Sequence, residues 1–248
     1  MSRVEEEAIV LEVYEREEAD RGVALLGEGG ELIVVHAPAA ARSRRRFGGA
    51  LGLGTKIRAS RRRKREGARW ILLEATTLRE PPPPDPLVVY YATAHVLELA
   101  RAFAREGAGD PRLFRLIDAV VGQLAEDVPV EPLLRYTEAW ILRLAGLMPN
   151  LRRCAECGES LEDQDQIWLA PEMGAFCGRH RPARAERISH AAAEWVGRTA
   201  DCPPGDAPEL AQEIAGSLRT ALVFLIESFT GQRLRALRAW LRAAREID

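Results

Sequence analysis

Four consecutive prolines in PPPPDP, residues 81–86, constrain this chain more than any other feature. Proline lacks an amide hydrogen and has a fixed φ, so such a run cannot enter a sheet ladder or a helix interior, and it forms a stiff extended spacer. The two sides of the run differ in periodicity. Before it, apolar residues fall in short β-prone runs, AIVLEVY (8–14), GVALL (22–26), ELIVVH (31–36), TKIRAS (55–60) and RWILLEATTL (69–78), which predict five strands. GEGG at 27–30 supplies the glycines of a tight reversal, so the second and third strands are expected as a hairpin. Five short strands suit a small closed barrel of the oligonucleotide-binding (OB) kind better than an open sheet with unpaired edges.

After the prolines the period becomes helical. A first helix is expected from Leu87 to about Glu106, a second striped by Leu113, Leu116, Ile117, Val120, Val121 and Leu124, and a third by Leu133, Leu134, Thr137, Trp140, Ile141 and Leu144. GAGDP and DVPVEP supply the breaks. From about 150 to 184 glycine, proline and polar residues interrupt the pattern, with too few aliphatics for a core, so this segment needs a staple. Helices then resume: Ser189 is a plausible N-cap, Leu210, Ile214, Leu218, Leu222 and Leu225 stripe the next helix, and a last one runs from about Gln232 to Arg245. The fold class is therefore α+β: a five-stranded barrel over 1–80, a linker at 81–86, and a helical domain over 87–248 with an insertion at about 150–184.

The staple is visible in the insertion. Cys154-x2-Cys157 and Cys177-x2-His180 are two short pairs, and each pair on a tight turn can aim two donors at one ion. Three thiolates and an imidazole fit zinc, and four closely spaced ligands leave no open position for a reacting water, so a structural rather than catalytic Zn2+ is expected. Cys202 and His190 stand apart and are weaker candidates. Clustered cysteines of this kind also favour metal ligation in a reducing compartment over disulfides. Seven glutamates in the first twenty residues are incompatible with a secretory signal, and no apolar run approaches the roughly 18 to 20 residues of a membrane span, so a cytoplasmic location is expected.

The net charge of −2 hides a polar layout: residues 1–40 are acidic, whereas 41–70 carry twelve Lys or Arg against the single acid Glu66. The basic residues lie in ARSRRRFGG (41–49), expected as the connection after the third strand, and SRRRKREGAR (60–69), expected as the hairpin between the fourth and fifth. Guanidinium groups pair with phosphates, and each neutralised phosphate releases counterions, so the segment favours nucleic acid. Arg42, Arg44, Arg45, Arg46, Lys56, Arg61, Arg62, Arg63, Lys64 and Arg65 are the candidate phosphate contacts, with Phe47 and Trp70 as candidate stacking partners, although Trp70 is more readily a barrel core residue. In the C-terminal QRLRALRAWLRAARE, Leu234, Leu237, Leu241 and Ala244 mark a core face, and Arg235, Arg238, Arg242 and Arg245 read as an ordinary solvated face. No phosphate-binding glycine loop and no Ser, His and Asp grouping is present.

RYTEAWILRLAGLMPNLRRCAECG, Arg135 to Gly158, resembles the RecO family of bacterial DNA repair proteins, in which a helix with an R-Y-x-E-like start and a G-x-x-P-like end leads into C-x-x-C-G. The opening AIVLEVYEREEADRGVALLGEGGEL and the R-F-G-G at Arg46 to Gly49 are similar to the same family. His180 departs from the cysteine that many members carry, and the acidic first forty residues and the tetraproline are unusual. The resemblance implies a non-enzymatic recombination mediator. Such a protein binds single- and double-stranded DNA, anneals complementary strands, and works with RecR to load RecA onto strands coated by single-strand-binding protein. It further implies that the helical domain receives that protein's acidic C-terminal tail, that RecF is a partner, and that the protein works at the nucleoid. Two other readings remain open at this stage: a zinc-dependent nucleic-acid hydrolase, and a general RNA-binding barrel protein.

Overall fold

In the computed structural model, residues 2–16, 18–63, 65, 67–126 and 128–246 are described. They form an α+β protein of two compact units, Met1–Asp127 with Ala236–Asp248, and Val128–Arg235. Among these residues no helix is long and apolar enough to cross a membrane.

The first unit contains the five expected strands: β1 (Ser2–Glu15), β2 (Arg21–Gly27), β3 (Leu32–Ala37), β4 (Lys56–Arg63) and β5 (Trp70–Arg79). They close into a ring in the order β1-β2-β3-β5-β4, with β3 and β5 parallel and the other pairs antiparallel. Closure depends on the length of β1. Its first half, Ser2–Ile9, pairs with β4, and its second half, from Ala8 onward, pairs with β2, with a bulge between Val10 and Glu12 that bends the strand between its two partners. Alternating residues point inward, so Ala8, Val10, Val23, Leu25, Ile33, Val35, Ile57, Ala59 and Leu72 form the barrel core.

Two features of the β3–β4 and β4–β5 regions differ from expectation. RRRF forms one helical turn, α1 (Arg44–Phe47), and delivers Phe47 into the core at 3% exposure. Strand β4 continues to Arg63, so Arg61, Arg62 and Arg63 lie on a strand and not in a hairpin loop.

After the prolines come α2 (Leu87–Phe103) and α3 (Pro111–Gln123), both in the barrel's unit. Helix α3 starts on Asp110, whose carboxylate accepts from the Arg112 N–H at 2.9 Å, with Pro111 in the first turn where no amide is needed. Gly30 and Gly109 are required by a close backbone approach: a Cβ on Gly30 would lie 1.9 Å from the Asp110 carbonyl oxygen, and one on Gly109 2.2 Å from that of Gly29. The last helix, α7 (Arg235–Arg245), also belongs here from Ala236 onward, and the Ala236 N–H donates to the Glu98 carboxylate of α2 at 3.0 Å. Its buried stripe is Leu237, Trp240 and Ala243, whereas the expected Leu241 and Ala244 are only half-buried.

The second unit contains α4 (Val130–Leu144), a three-stranded antiparallel sheet, α5 (His190–Arg198) and α6 (Gln212–Thr230). The sheet, in the order β7-β6-β8, is made of β6 (Gln166–Ala170), β7 (Gly174–Phe176) and β8 (Glu186–Ser189). Residues 150–184, expected to have too few aliphatics for a core of their own, nevertheless bury Leu161, Ile167, Leu169 and Phe176, and Ile188 of β8 just beyond them is buried as well. Ser189 caps α5 as expected, accepting from the Ala192 N–H at 3.2 Å.

The polar residues of α4 fasten the segment that follows α5. The Tyr136 hydroxyl donates to the Cys202 carbonyl at 2.8 Å, Trp140 Nε1 to the Thr199 carbonyl at 2.8 Å, and Arg143 to Thr199 Oγ1 at 3.1 Å and to the Val196 carbonyl. Arg135 and Glu138 pair at 2.7 Å with both side chains fully buried. The α4 part of the motif that carries the resemblance, Arg135, Tyr136, Glu138, Trp140 and Arg143, is thus engaged inside its own unit.

Candidate functional site

The register of β1 against β4 decides which basic residues are available. Glu5, Glu6 and Glu7 lie opposite Ser60, Ala59 and Arg58, so the acidic start of the chain runs alongside the basic strand and neutralises part of it. Arg61 is 7% exposed, donates to the Glu6 carboxylate, and places its guanidinium 3.8 Å from the Trp70 ring centroid. Lys56 is held by Glu7 at 3.0 Å and by Asp118 of α3 at 2.9 Å, and the same Asp118 accepts from Arg79 at 2.6 Å. Burial alone would lower the Lys56 pKa, yet the hydrogen bonds it donates to Asp118 and Glu7 win and raise it above the ordinary lysine value. Arg46 is folded back on Ser43 Oγ and the Pro38 carbonyl. These three cations are committed to partners within the protein, and Phe47, buried in the core, has no face for a base.

The remaining candidates differ. Arg45, Arg62 and Arg65 are exposed. Arg42 is exposed with Glu18 3.6 Å away, a pair that solvent screens strongly. Arg63 is half-buried with its guanidinium 4.7 Å from the Trp70 centroid, so the indole lies against two guanidiniums. The side chain of Arg44 and all of Lys64 lie outside the described residues.

A cleft of about 370 Å³ adjoins this surface, lined by Tyr14, Arg16, His36, Arg63, Arg69 and Trp70 among others. Arg16 and Arg69 are exposed, and His36 is held by Asp20 at 3.1 Å. Sequence reading missed Tyr14, Arg16, His36 and Arg69 as a group because they come from four separate stretches. Their only sequence signal is position, since Arg16 follows β1 and Arg69 precedes β5, beside the loops that bind oligonucleotides in OB barrels.

The four donors expected to hold a metal do come together. Cys154 Sγ, Cys157 Sγ, Cys177 Sγ and a His180 ring nitrogen all lie within 4.8 Å of one another. Each pair sits on a tight turn. The Gly158 N–H donates to the Cys154 carbonyl at 2.9 Å, with Gly158 at φ 71°, and the His180 N–H donates to the Cys177 carbonyl at 3.1 Å. The Ala155 N–H donates to the Ala175 carbonyl at 2.8 Å, and Arg179 pairs with Glu159, so the two turns are joined by backbone and by charge.

At Cys154 and Cys177 the electrostatics suit deprotonated sulfur, whereas Cys157, although the Glu159 backbone N–H lowers it, is raised on balance by burial and by the neighbouring thiols. Burial pushes the Cys154 thiol up, but backbone N–H groups of Cys157, Cys177 and Glu156 outweigh it and bring the value down to about 6. Cys177 is likewise raised by burial and lowered further by the hydrogen bond with His180, whose Nδ1 lies 3.3 Å from its sulfur. A metal ion replaces the protons that otherwise keep such a cluster together. Three thiols and one imidazole, two of the four residues buried and all within one coordination sphere's reach, fit a four-coordinate ion of the zinc type. Cys202 is not part of this group, since its carbonyl receives Tyr136, and neither is His190, whose Nε2 lies 3.4 Å from Glu194.

A family model described as "Recombination protein O C terminal" matches residues 85–238. The chain is 32% identical over 244 residues to the DNA repair protein RecO of Anaeromyxobacter dehalogenans strain 2CP-C, a match covering 96% of each chain. It is 38% identical over 160 residues to the protein of the same name from Koribacter versatilis, covering 64% of this chain and 65% of that one. The corresponding protein of Desulforudis audaxviator is 37% identical over 159 residues, covering 64% and 63%.

Proposed function

Because the chain belongs to the RecO family of DNA repair and recombination proteins, we propose that it is a non-enzymatic mediator. In this reading it binds single- and double-stranded DNA, anneals complementary strands, and with RecR helps RecA displace single-strand-binding protein. The observation that carries this reading is the sorting of cations on the barrel. Acids of β1 and α3 occupy Arg61 and Lys56, whereas Arg45, Arg62, Arg65 and Arg69 stay exposed, and Arg69 with Arg63 lines a cleft of about 370 Å³.

The strand order and the parallel β3–β5 pair support reading the barrel as an OB fold, whose loops after the first and fourth strands flank the ligand. Annealing needs no covalent step: a cationic surface lowers the mutual repulsion of two strands and lets pairing proceed. Within the interface, Arg62 and Arg65 hold phosphates, Arg42 and Arg45 extend the contact, and Trp70 serves to position Arg63.

Zn2+ is the metal that Cys154, Cys157, Cys177 and His180 hold in this reading, and it supplies no chemistry beyond fixing the segment that carries β6 and β7. The helical domain over 87–248 receives the acidic tail of single-strand-binding protein, RecF joins RecR as a partner, and the work takes place in the cytoplasm at the nucleoid. The test is annealing of two complementary DNA strands already coated with single-strand-binding protein. Acceleration by this protein is expected. Annealing of naked strands only, or equal action on RNA, would reduce it to a general nucleic-acid binder.

A further inference from the structure

Helix α7 presents an outer face that carries charge of one sign only. On its outer face Arg238, Arg242 and Arg245 are exposed, while Leu237, Trp240 and Ala243 are buried beneath them. The helix contains no acidic residue. Several arginines elsewhere are matched to carboxylates, Arg101 to Glu12, Arg112 to Asp110, Arg219 to Glu131 and Arg233 to Glu227, whereas the exposed Arg45, Arg62 and Arg69 of the barrel are, like those of α7, in no ion pair among the described residues. Among the described residues none of Arg238, Arg242 and Arg245 makes an ion pair, and the one side-chain hydrogen bond of the three runs from Arg242 to the Arg238 backbone carbonyl at 3.4 Å. Arg235, at the first position, has contacts of its own. The exposed Glu246 beyond the helix is the nearest acid in sequence.

Such an arrangement weakens the free helix, because like charges three and four residues apart repel. The three guanidiniums lie on one side at helical steps of roughly 6 and 4.5 Å along the axis. A stripe of about 10 Å along the helix axis is long enough to meet more than one phosphate of a nucleic-acid strand, whose charges are closely and regularly spaced. An extended anionic chain therefore relieves the repulsion at all three positions together.

We propose that Arg238, Arg242 and Arg245 form a second nucleic-acid backbone track, carried on the same compact unit as the barrel cleft. The inference rests on the reading of this chain as an annealing protein and adds a mechanism to it. With one track on the barrel and one on α7, a single chain holds two strands at once, and annealing becomes a reaction on one molecule's surface rather than a meeting of two coated strands.

The experiment uses the full-length chain with Arg238, Arg242 and Arg245 changed together to Ala, a good helix former at exposed positions, and in parallel to Lys, which keeps the charge. Binding of a single-stranded oligonucleotide is measured against salt, alongside annealing of two naked strands. The Ala variant is expected to flatten the log–log salt slope by about 2, at about 0.7 per phosphate, and to slow annealing at least about tenfold, the Lys variant staying near wild type. An unchanged slope and annealing rate in a folded Ala variant would overturn the track. So would loss of binding only to phosphatidylglycerol vesicles, because the anion would then be a lipid surface. If the Ala variant does not fold, the Lys variant and competition by a second strand on the wild-type protein decide, and failure of a bound chain to take a second strand overturns the proposal. Wild-type protein that binds no DNA at all would instead remove the annealing reading beneath it.

Discussion

Arg61 lies with its guanidinium 3.8 Å from the centre of the Trp70 ring while it donates to the buried Glu6 carboxylate. A residue that reads in sequence as one of a row of phosphate contacts is thus part of the barrel's interior. Removing one partner of a buried pair leaves the other charged and unsolvated, at about 3 to 5 kcal/mol. Arg61→Ala is therefore expected to lower the unfolding free energy by about 3 kcal/mol without changing the salt slope of DNA binding. Denaturant titration and binding isotherms at several salt concentrations check this, and a flattened slope in a folded variant would return Arg61 to the interface.

The converse holds for the exposed pair. Arg62→Ala with Arg65→Ala is expected to leave stability within about 0.5 kcal/mol, as for surface changes generally. It should reduce the single-strand salt slope by about 1 to 1.5. Full affinity at all salt concentrations would exclude the β4–β5 turn from the footprint.

The metal centre predicts one zinc per chain in protein purified without chelator. Cys154→Ser should lose the ion, whereas His180→Cys should keep it, since thiolate and imidazole both serve zinc. Chelation is expected to expose amides between Cys154 and Phe176 to hydrogen exchange while the barrel strands keep their protection. Equal protection in metal-free protein would mean that the small sheet stands without its ion.

Tyr136 carries a pH signature. Burial, with the adjacent Cys202 adding to it, pushes its phenol up to about 12 from an ordinary 10. The folded state holds this proton more tightly than the unfolded state, so the contribution is complete below pH 10 and is lost as pH rises from 10 to 12. The loss is at most about 3 kcal/mol. Unfolding curves across that window should fall more steeply for wild type than for Tyr136→Phe, and parallel curves would show that the hydroxyl's bond to Cys202 holds no such proton.

What could be read in advance was local in sequence. Cys154, Cys157, Cys177 and His180 were legible because a pair three residues apart meets one ion whatever surrounds it, and the five strands because period-two runs bury one side. The cation sorting was not, because Glu6 meets Arg61 only through the pairing of two strands whose register no single stretch specifies. Phe47 was misread because one turn of helix is too short to show a period. The sheet of β6, β7 and β8 was missed for a similar reason: its strands are three to five residues long, and their apolar positions are too few to stand out one strand at a time.

The Ala236 N–H reaches the Glu98 carboxylate of a helix 138 residues earlier in the chain. During synthesis the barrel, α2 and α3 therefore leave the ribosome long before the helix that completes their unit. At about 5 to 20 residues per second the intervening unit of roughly a hundred residues takes about 5 to 20 s to make. Through that interval the first unit lacks the helix that carries the buried Leu237 and Trp240, so α7 can join it only after the second unit has been made.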